Sequence, residues 1–339
     1  MMNYSIAFIT PAKSKDDYLL NTVLDGLLEL RKEYPKLEFH LPKGYPSPFG
    51  DALKKHELDE NAFFAFAKQA DIIIFTISGG YANFDALERV GRWDKTVVLD
   101  STEWGKDRRF DFEVQKKTLH EFLGNALTPD SLLNTCALYL RREKPYVGGI
   151  VPFPFGIESR YVRYTPDKKK DIDFVCIWGQ EEHPLLRKYA REFLESFCDE
   201  RGFTCRTAKT KGFDFSLQRT SGRDEFYELL SRAKVGVSIG GGGFDTVRFW
   251  EMLGNNCLML TERLDIYHPE SEALRYKRMN QFNNLYDFEH QLSRVADFLK
   301  NEYKEKELQA EYETILKDHS TKARVRMIFD ELKKREVLK

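Results

Sequence analysis

The residue types best suited to chemistry are concentrated between Ala233 and Glu251. An apolar run suited to a buried strand ends at Ser238, four consecutive glycines follow (Gly240 to Gly243), and a helical pattern opens near Asp245. Glycine lets a backbone approach a ligand closely and adopts positive φ without a Cβ clash. A helix N-terminus presents unpaired N–H groups and a partial positive charge, which suits a phosphate. Asp245, Arg248 and Glu251 recur every three residues and so share one helix face. An arginine there can neutralise a diphosphate, and a carboxylate can accept a pair of hydrogen bonds from ribose hydroxyls. Ser238, Gly241, Gly242, Gly243 and Thr246 complete the turn as candidate binding residues. The plainer reading is a loop before a surface helix with a salt-bridged stripe. Against it, Phe244, Val247, Phe249, Trp250 and Leu253 make the segment apolar outside the charged face.

Three other loops follow strand-like runs. Gly179, Gln180 and His183 come after Asp173–Trp178, and Arg187 lies one turn inside the next helix. His183 precedes a proline, where a surface histidine is also expected. Gly79 and Gly80 follow the run Asp71–Ile77, and Asp100 and Glu103 follow Val97-Val98-Leu99. An acid at a strand end can serve as general base towards a hydroxyl; a turn or capping role explains Asp100 equally well. Asp171 and Asp173 form an Asp-x-Asp, but in a charged linker rather than a loop at a strand's carboxyl end. No His/Glu spacing makes a zinc site and no GxGxxG opens the first half. No metal and no cofactor are therefore expected.

These loops must be held by alternating strands and helices, the pattern of parallel sheets covered on both faces. Strands are expected at Tyr4–Ile9, Leu37–Leu41, Asp71–Ile77 and Thr96–Leu99, with helices at Asp17–Tyr34, Asp51–Gln69, Asn83–Val90 and Phe112–Leu123. A further unit lies around Leu132–Arg142. After Val151-Pro152-Phe153-Pro154-Phe155-Gly156 and a charged run near Asp171, the alternation restarts. Strands are expected at Asp173–Trp178, Phe203–Thr207, Val235–Ile239 and Cys257–Thr261. Helices are expected at Pro184–Glu200, Arg223–Arg232, Asp245–Leu253, Phe288–Asn301 and Lys304 to about Leu332. The fold class is thus α/β, two Rossmann-like doubly wound domains.

With 339 residues the chain has the length of two domains. Its 53 basic and 54 acidic residues argue against binding nucleic acid by overall charge alone. Five cysteines, an odd number without a CxxC pair, read as reduced thiols. No signal-peptide pattern and no apolar run of membrane-spanning length is present, so a cytoplasmic location without a membrane span is expected.

The glycine loop followed by Arg248-Phe249-Trp250-Glu251 and Gly254 resembles the donor-binding segment of GT-B glycosyltransferases, most closely the CgeB (YkvP spore protein)-like part of group 1. Tyr139–Glu143 with Val151–Glu158 is similar to the interdomain stretch of that family, Asp173–Gly179 to its first C-domain strand and His319–Arg324 to its terminal helix. Two departures stand out. Many relatives carry a second glutamate where this chain has Gly243, and the small-x-Gly after the helix is Gly254-Asn255-Asn256. The resemblance implies two domains facing a cleft: an acceptor domain over 1–150, a connection over 151–171, a donor domain over 172–318, and a helix over 319–339 that crosses back to the first domain. It implies Glu251 on the donor ribose and Arg248 near the diphosphate. The expected activity is metal-independent sugar transfer from a nucleoside diphosphate sugar to an unidentified acceptor, with Arg248 and Arg187 stabilising the leaving group and Asp100 as base. Two rivals share the architecture. One is a non-catalytic sugar- or nucleotide-binding protein. The other is a transferase acting on DNA, which would draw on cations such as Arg108, Arg109, Lys116 and Lys117.

Overall fold

The computed structural model describes residues 3–11, 17–78, 82–103, 129–145, 148–178, 184–207, 223–268 and 271–339. The expected helix Phe112–Leu123 lies outside them. The chain forms two compact units, Met1–Gly156 with Ser320–Lys339, and Ile157–His319.

The first unit is built on a seven-stranded sheet in the order β3-β2-β1-β4-β5-β6-β7. Its strands are β1 (Ser5–Ile9), β2 (Glu38–Pro42), β3 (Glu57–Leu58), β4 (Ile72–Ile77), β5 (Thr96–Asp100), β6 (Leu138–Arg141) and β7 (Ile150–Pro152). All neighbours pair in parallel. Every residue of β4, β5 and β6 is buried, as central parallel strands require when helices cover both faces. The described helices of this part are α1 (Tyr18–Glu33), α2 (Asp51–Lys54), α3 (Glu60–Ala67), α4 (Phe84–Val90) and α5 (Pro129–Thr135). The single helix expected over Asp51–Gln69 is broken by β3, which pairs with Leu41 and Pro42, and α3 restarts where the Asp59 carboxylate caps the amide of Ala62. β6 and β7 are too short to show an alternation of their own. The latter places the start of the expected 151–171 connection inside the first sheet.

The second unit carries a five-stranded parallel sheet in the order β12-β11-β10-β8-β9. Its strands are β8 (Ile172–Cys176), β9 (Cys205–Thr207), β10 (Ala233–Ser238), β11 (Leu258–Glu262) and β12 (Met279–Phe282), the last not expected from the sequence. Its described helices are α6 (Leu185–Arg201), α7 (Arg223–Ser231), α8 (Val247–Leu253), α9 (Leu285–Asn301) and α10 (Glu305–His319). Phe174, Val235, Val237, Leu260, Phe282, Phe288 and Leu292 belong to one core beneath α6 and α9.

The helical pattern from Lys304 to Leu332 is interrupted at Ser320, whose hydroxyl caps α11 (Thr321–Lys334). This helix belongs to the first unit. Val325, Ile328, Phe329 and Leu332 form its buried stripe. The Thr321 hydroxyl donates to Asp25 at 2.6 Å, and Arg324 Nε donates to the carbonyls of Pro154 and Phe155, each at 3.1 Å. Lys322 and Arg326 both pair with Glu33. Gly26 permits the approach. A Cβ there would lie 2.3 Å from the Thr321 oxygen and 2.7 Å from Val325 Cγ2. Alanine at a helix interior normally gains about 1 kcal/mol over glycine, but overpacking against backbone costs about 1–3 kcal/mol. Gly26→Ala is therefore expected to lower the thermal midpoint measured by circular dichroism. A midpoint equal to or above the wild type would contradict this packing.

Candidate functional site

β10 ends at Ser238, which is buried, so its hydroxyl faces protein rather than solvent. The four glycines that follow hold a tight loop: Gly240 N donates to the Glu262 carboxylate at 2.9 Å and Gly241 N to Gly243 O at 3.0 Å. None of the four has positive φ; that conformation occurs instead at Gly44, Gly50, Gly91, Gly149 and Gly202 among the described glycines. What the loop uses is the missing side chain. A Cβ on Gly241 would stand 3.2 Å from Nη2 of Arg187, which donates to Ile239 O at 3.0 Å. The sheet thus brings Arg187, from the first turn of α6, against the glycine loop. The Trp178 ring lies 5.9 Å from the same guanidinium. The amides of Gly242 and Gly243 donate to no group among the described residues.

The helix after the loop starts later than expected. α8 has seven residues, and its cap is Thr246, whose hydroxyl accepts from Phe249 N at 3.4 Å. Its first turn is thereby partly satisfied, so the loop amides and Arg187, not the helix end, are the groups that suit an anion. Asp245 leaves the expected charged face. It precedes the helix, is buried, and accepts the Trp250 indole N–H at 2.7 Å, which makes it an anchor for α8. Arg248 and Glu251 do share a face and pair at 2.6 Å. The Arg248 guanidinium stacks 4.0 Å from the Phe226 ring centre, and the other Glu251 oxygen accepts the Tyr227 hydroxyl at 3.2 Å. Each of these carboxylate oxygens retains a second lone pair for a further donor.

Phe226, Tyr227 and Glu262 were not apparent in the sequence; an aromatic pair on α7 and an acid closing β11 have no local signature. The altered turn after α8 has a clear use. Asn255 Nδ2 donates to Glu251 O and Tyr161 O, each at 2.8 Å, while its Oδ1 accepts from the amides of Arg163 and Tyr164 at 2.8 and 3.2 Å. The amide side chain clips residues 161–164 to the end of α8. Beside them Tyr161 donates to Glu158 at 2.7 Å and its ring lies 5.3 Å from that of Tyr227. Burial, and then the neighbouring Glu158 charge, hold the Tyr161 phenol well above its ordinary range, so it is a neutral donor.

In the first unit the general-base expectation for Asp100 fails. Its side chain has 0% exposure and pairs with Arg141 at 2.6 Å. It also accepts the Tyr139 hydroxyl at 3.0 Å and both the amide and hydroxyl of Thr102, at 3.0 and 2.7 Å. A carboxylate so enclosed holds the strand ends together and cannot meet an acceptor hydroxyl. Glu103 pairs with Arg142 at 2.9 Å and is exposed. Asp171 pairs with Arg232 just before β8, and Asp173, which lies within β8 rather than in a linker, pairs with Lys234. Gly79, Gly80, Gly179, Gln180 and His183 lie outside the described residues, as do Arg108, Arg109, Lys116 and Lys117. Among the described residues no group of three or more His, Cys, Asp or Glu could hold a metal ion, and no helix is long and apolar enough to cross a membrane.

Comparison with solved structures places this architecture. An α-glucosyltransferase in complex with UDP and a 13-mer DNA containing an HMU base aligns with a TM-score of 0.60 at 11% identity, over 98% of this chain and 100% of that one. A glycosyltransferase from Rickettsia africae ESF-5 aligns with a TM-score of 0.54 at 10% identity, over 99% of both chains. The catalytic domain of starch synthase IV from Arabidopsis thaliana, bound to ADP and acarbose, aligns at 0.50 and 8% identity, over 99% of this chain and 100% of that one. The fold is GT-B. Residues 187–330 also match the family model described as "Glycosyl transferase-like". No curated protein matches by sequence. The matched stretch covers Arg187, the glycine loop, Arg248 and Glu251.

The enclosure of Asp100 has a measurable consequence. Removing one partner of a buried ion pair costs about 3–5 kcal/mol because the other charge is left unmatched. Asp100→Asn is expected to lower the unfolding midpoint sharply. A variant with wild-type stability and no activity would restore Asp100 to the role of base.

Proposed function

We propose that the second unit binds a nucleoside diphosphate sugar and that the chain transfers the sugar to a hydroxyl of an acceptor held by the first. The observation that carries this reading is the Arg187 guanidinium lying against Gly241, beside the unused amides of Gly242 and Gly243. Together they offer a preorganised cationic cradle for phosphate oxygens, the arrangement that stabilises a leaving diphosphate. Arg248 supplies further positive charge, and Glu251, with lone pairs left beyond its bonds to Arg248 and Tyr227, is assigned to the ribose hydroxyls.

In the reaction the acceptor oxygen bonds the anomeric carbon and the bond from that carbon to phosphate oxygen breaks. The electron pair leaves on the diphosphate, and the acceptor's proton is released to solvent. Charge on the leaving group is met by arginine and backbone N–H groups, so we assign no metal to the step. The Arg248-x-x-Glu251 pattern also supports placing the chain beside the CgeB-like group. The five free thiols agree with a cytoplasmic setting.

Two measurements test this. A hydrogen bond to a charged group contributes about 1.5–3 kcal/mol, so Glu251→Gln should weaken UDP binding at least tenfold by calorimetry while the protein stays folded. Unchanged affinity in the folded variant would remove Glu251 from the donor site. Release of UDP from UDP-glucose should also survive EDTA. Complete loss that manganese or magnesium restores would overturn the metal-free step.

A further inference from the structure

The first unit has an open cavity of about 740 Å³ that none of the described site residues above lines. It opens at the carboxyl ends of β1 and β2, next to the point between β1 and β4 where the strand order reverses. Ligands of open α/β sheets bind at such points, and the volume falls within the roughly 300–1,000 Å³ of small-molecule sites.

Its walls are of two kinds. Phe63, Phe64 and Ala86 provide an apolar surface, and Lys43, Glu60, Asp85 and Arg89 provide two positive and two negative charges. Arg89 is held flat. It pairs with Glu60 at 2.6 Å, and its guanidinium carbon stacks 3.8 Å from the Phe64 ring centre. The Lys43 ammonium and the Asp85 carboxylate have no side-chain partner among the described residues.

This combination discriminates between ligand classes. A nucleic-acid backbone or phosphorylated polymer would bring negative charge against Glu60 and Asp85, without the cationic excess that such binding draws on. A purely apolar ligand would strip water from Lys43 and Asp85 and return no hydrogen bonds. A sugar ring meets every wall. Its hydroxyls donate to Asp85 and Glu60 and accept from Lys43 and Arg89, while its C–H face packs on Phe64.

We propose that this cavity is the acceptor site and that the acceptor is a neutral saccharide. The proposal rests on the transferase reading above and names its second substrate. The hydroxyl that forms the new glycosidic bond then belongs to a sugar ring lodged between Asp85 and Phe64, with the nucleoside diphosphate sugar as co-substrate.

The test uses the full chain without nucleotide: saturation-transfer NMR with methyl α-D-glucopyranoside, methyl N-acetyl-β-D-glucosaminide and maltose, and fluorescence anisotropy with a labelled 13-base-pair duplex. At least one glycoside should show saturation transfer, with affinity falling tenfold or more in Asp85→Ala and in Phe64→Leu. UDP affinity should stay the same in both variants, and each should keep a cooperative circular-dichroism melt within a few degrees of the wild type, which shows that the first unit is folded. Absence of transfer to all three glycosides would overturn the proposal. So would glycoside binding indifferent to both substitutions, or duplex binding that Asp85→Ala strengthens. Failure of the wild type to bind UDP would instead sink the donor reading, and the glycoside result would still stand by itself.

Discussion

The pairing of Asp100 with Arg141, both withdrawn from water and 2.6 Å apart, fixes how the first sheet ends. A charge moved into a medium of low polarity loses several kcal/mol of hydration, which only an opposite charge or several aligned dipoles restores. Asp100 closes β5 and Arg141 closes β6, so the pair locks two neighbouring strands in register at their carboxyl ends. The same requirement recurs in the second unit. Arg248 and Glu251 answer one another on α8, and Glu158 is answered by Arg160 and Tyr161. At the amino ends of that sheet, Lys170 is held by the carbonyls of Ala233 and Asn255, and Arg278 by Glu311, Asn256 and the Leu308 carbonyl.

The two ends of the second sheet therefore differ in kind. At the amino ends the buried cations are tied to carbonyls and carboxylates of their own unit. At the carboxyl ends Arg187 donates to the Ile239 carbonyl beside a loop in which the Gly242 and Gly243 amides donate to no group among the described residues. That asymmetry is what separates a group that maintains the fold from one that can meet a ligand.

How far the sequence carried this picture follows from the range of each interaction. Ile72–Ile77 was legible as a central strand because six apolar residues in a row need both faces covered. The glycine loop and the Arg248–Glu251 pair were legible because their parts lie within a few residues of one another. The role of Asp100 was not, since Arg141 lies 41 residues further along the chain and nothing local marks the two as partners. Asp245 was misread for a subtler reason. Its spacing fits a helix face, but the helix begins at Val247 and the indole of Trp250 turns back to it. Tyr227 and Glu262 reach the site only through the order in which the sheet places their elements. The break at β3 needed knowledge that Leu41 and Pro42 had an open strand edge to offer.

The first unit is discontinuous in sequence: its last helix is supplied by residues 320–339, after the whole second unit. On the ribosome the chain emerges amino end first, and domains commonly fold as they appear. The face of α1 around Gly26 then waits, uncovered, until residues 320–339 have emerged, while residues 157–319 already have everything their own core requires. The second unit can thus complete its core before the first, and in that interval the α1 face is the apolar surface left for a chaperone to guard.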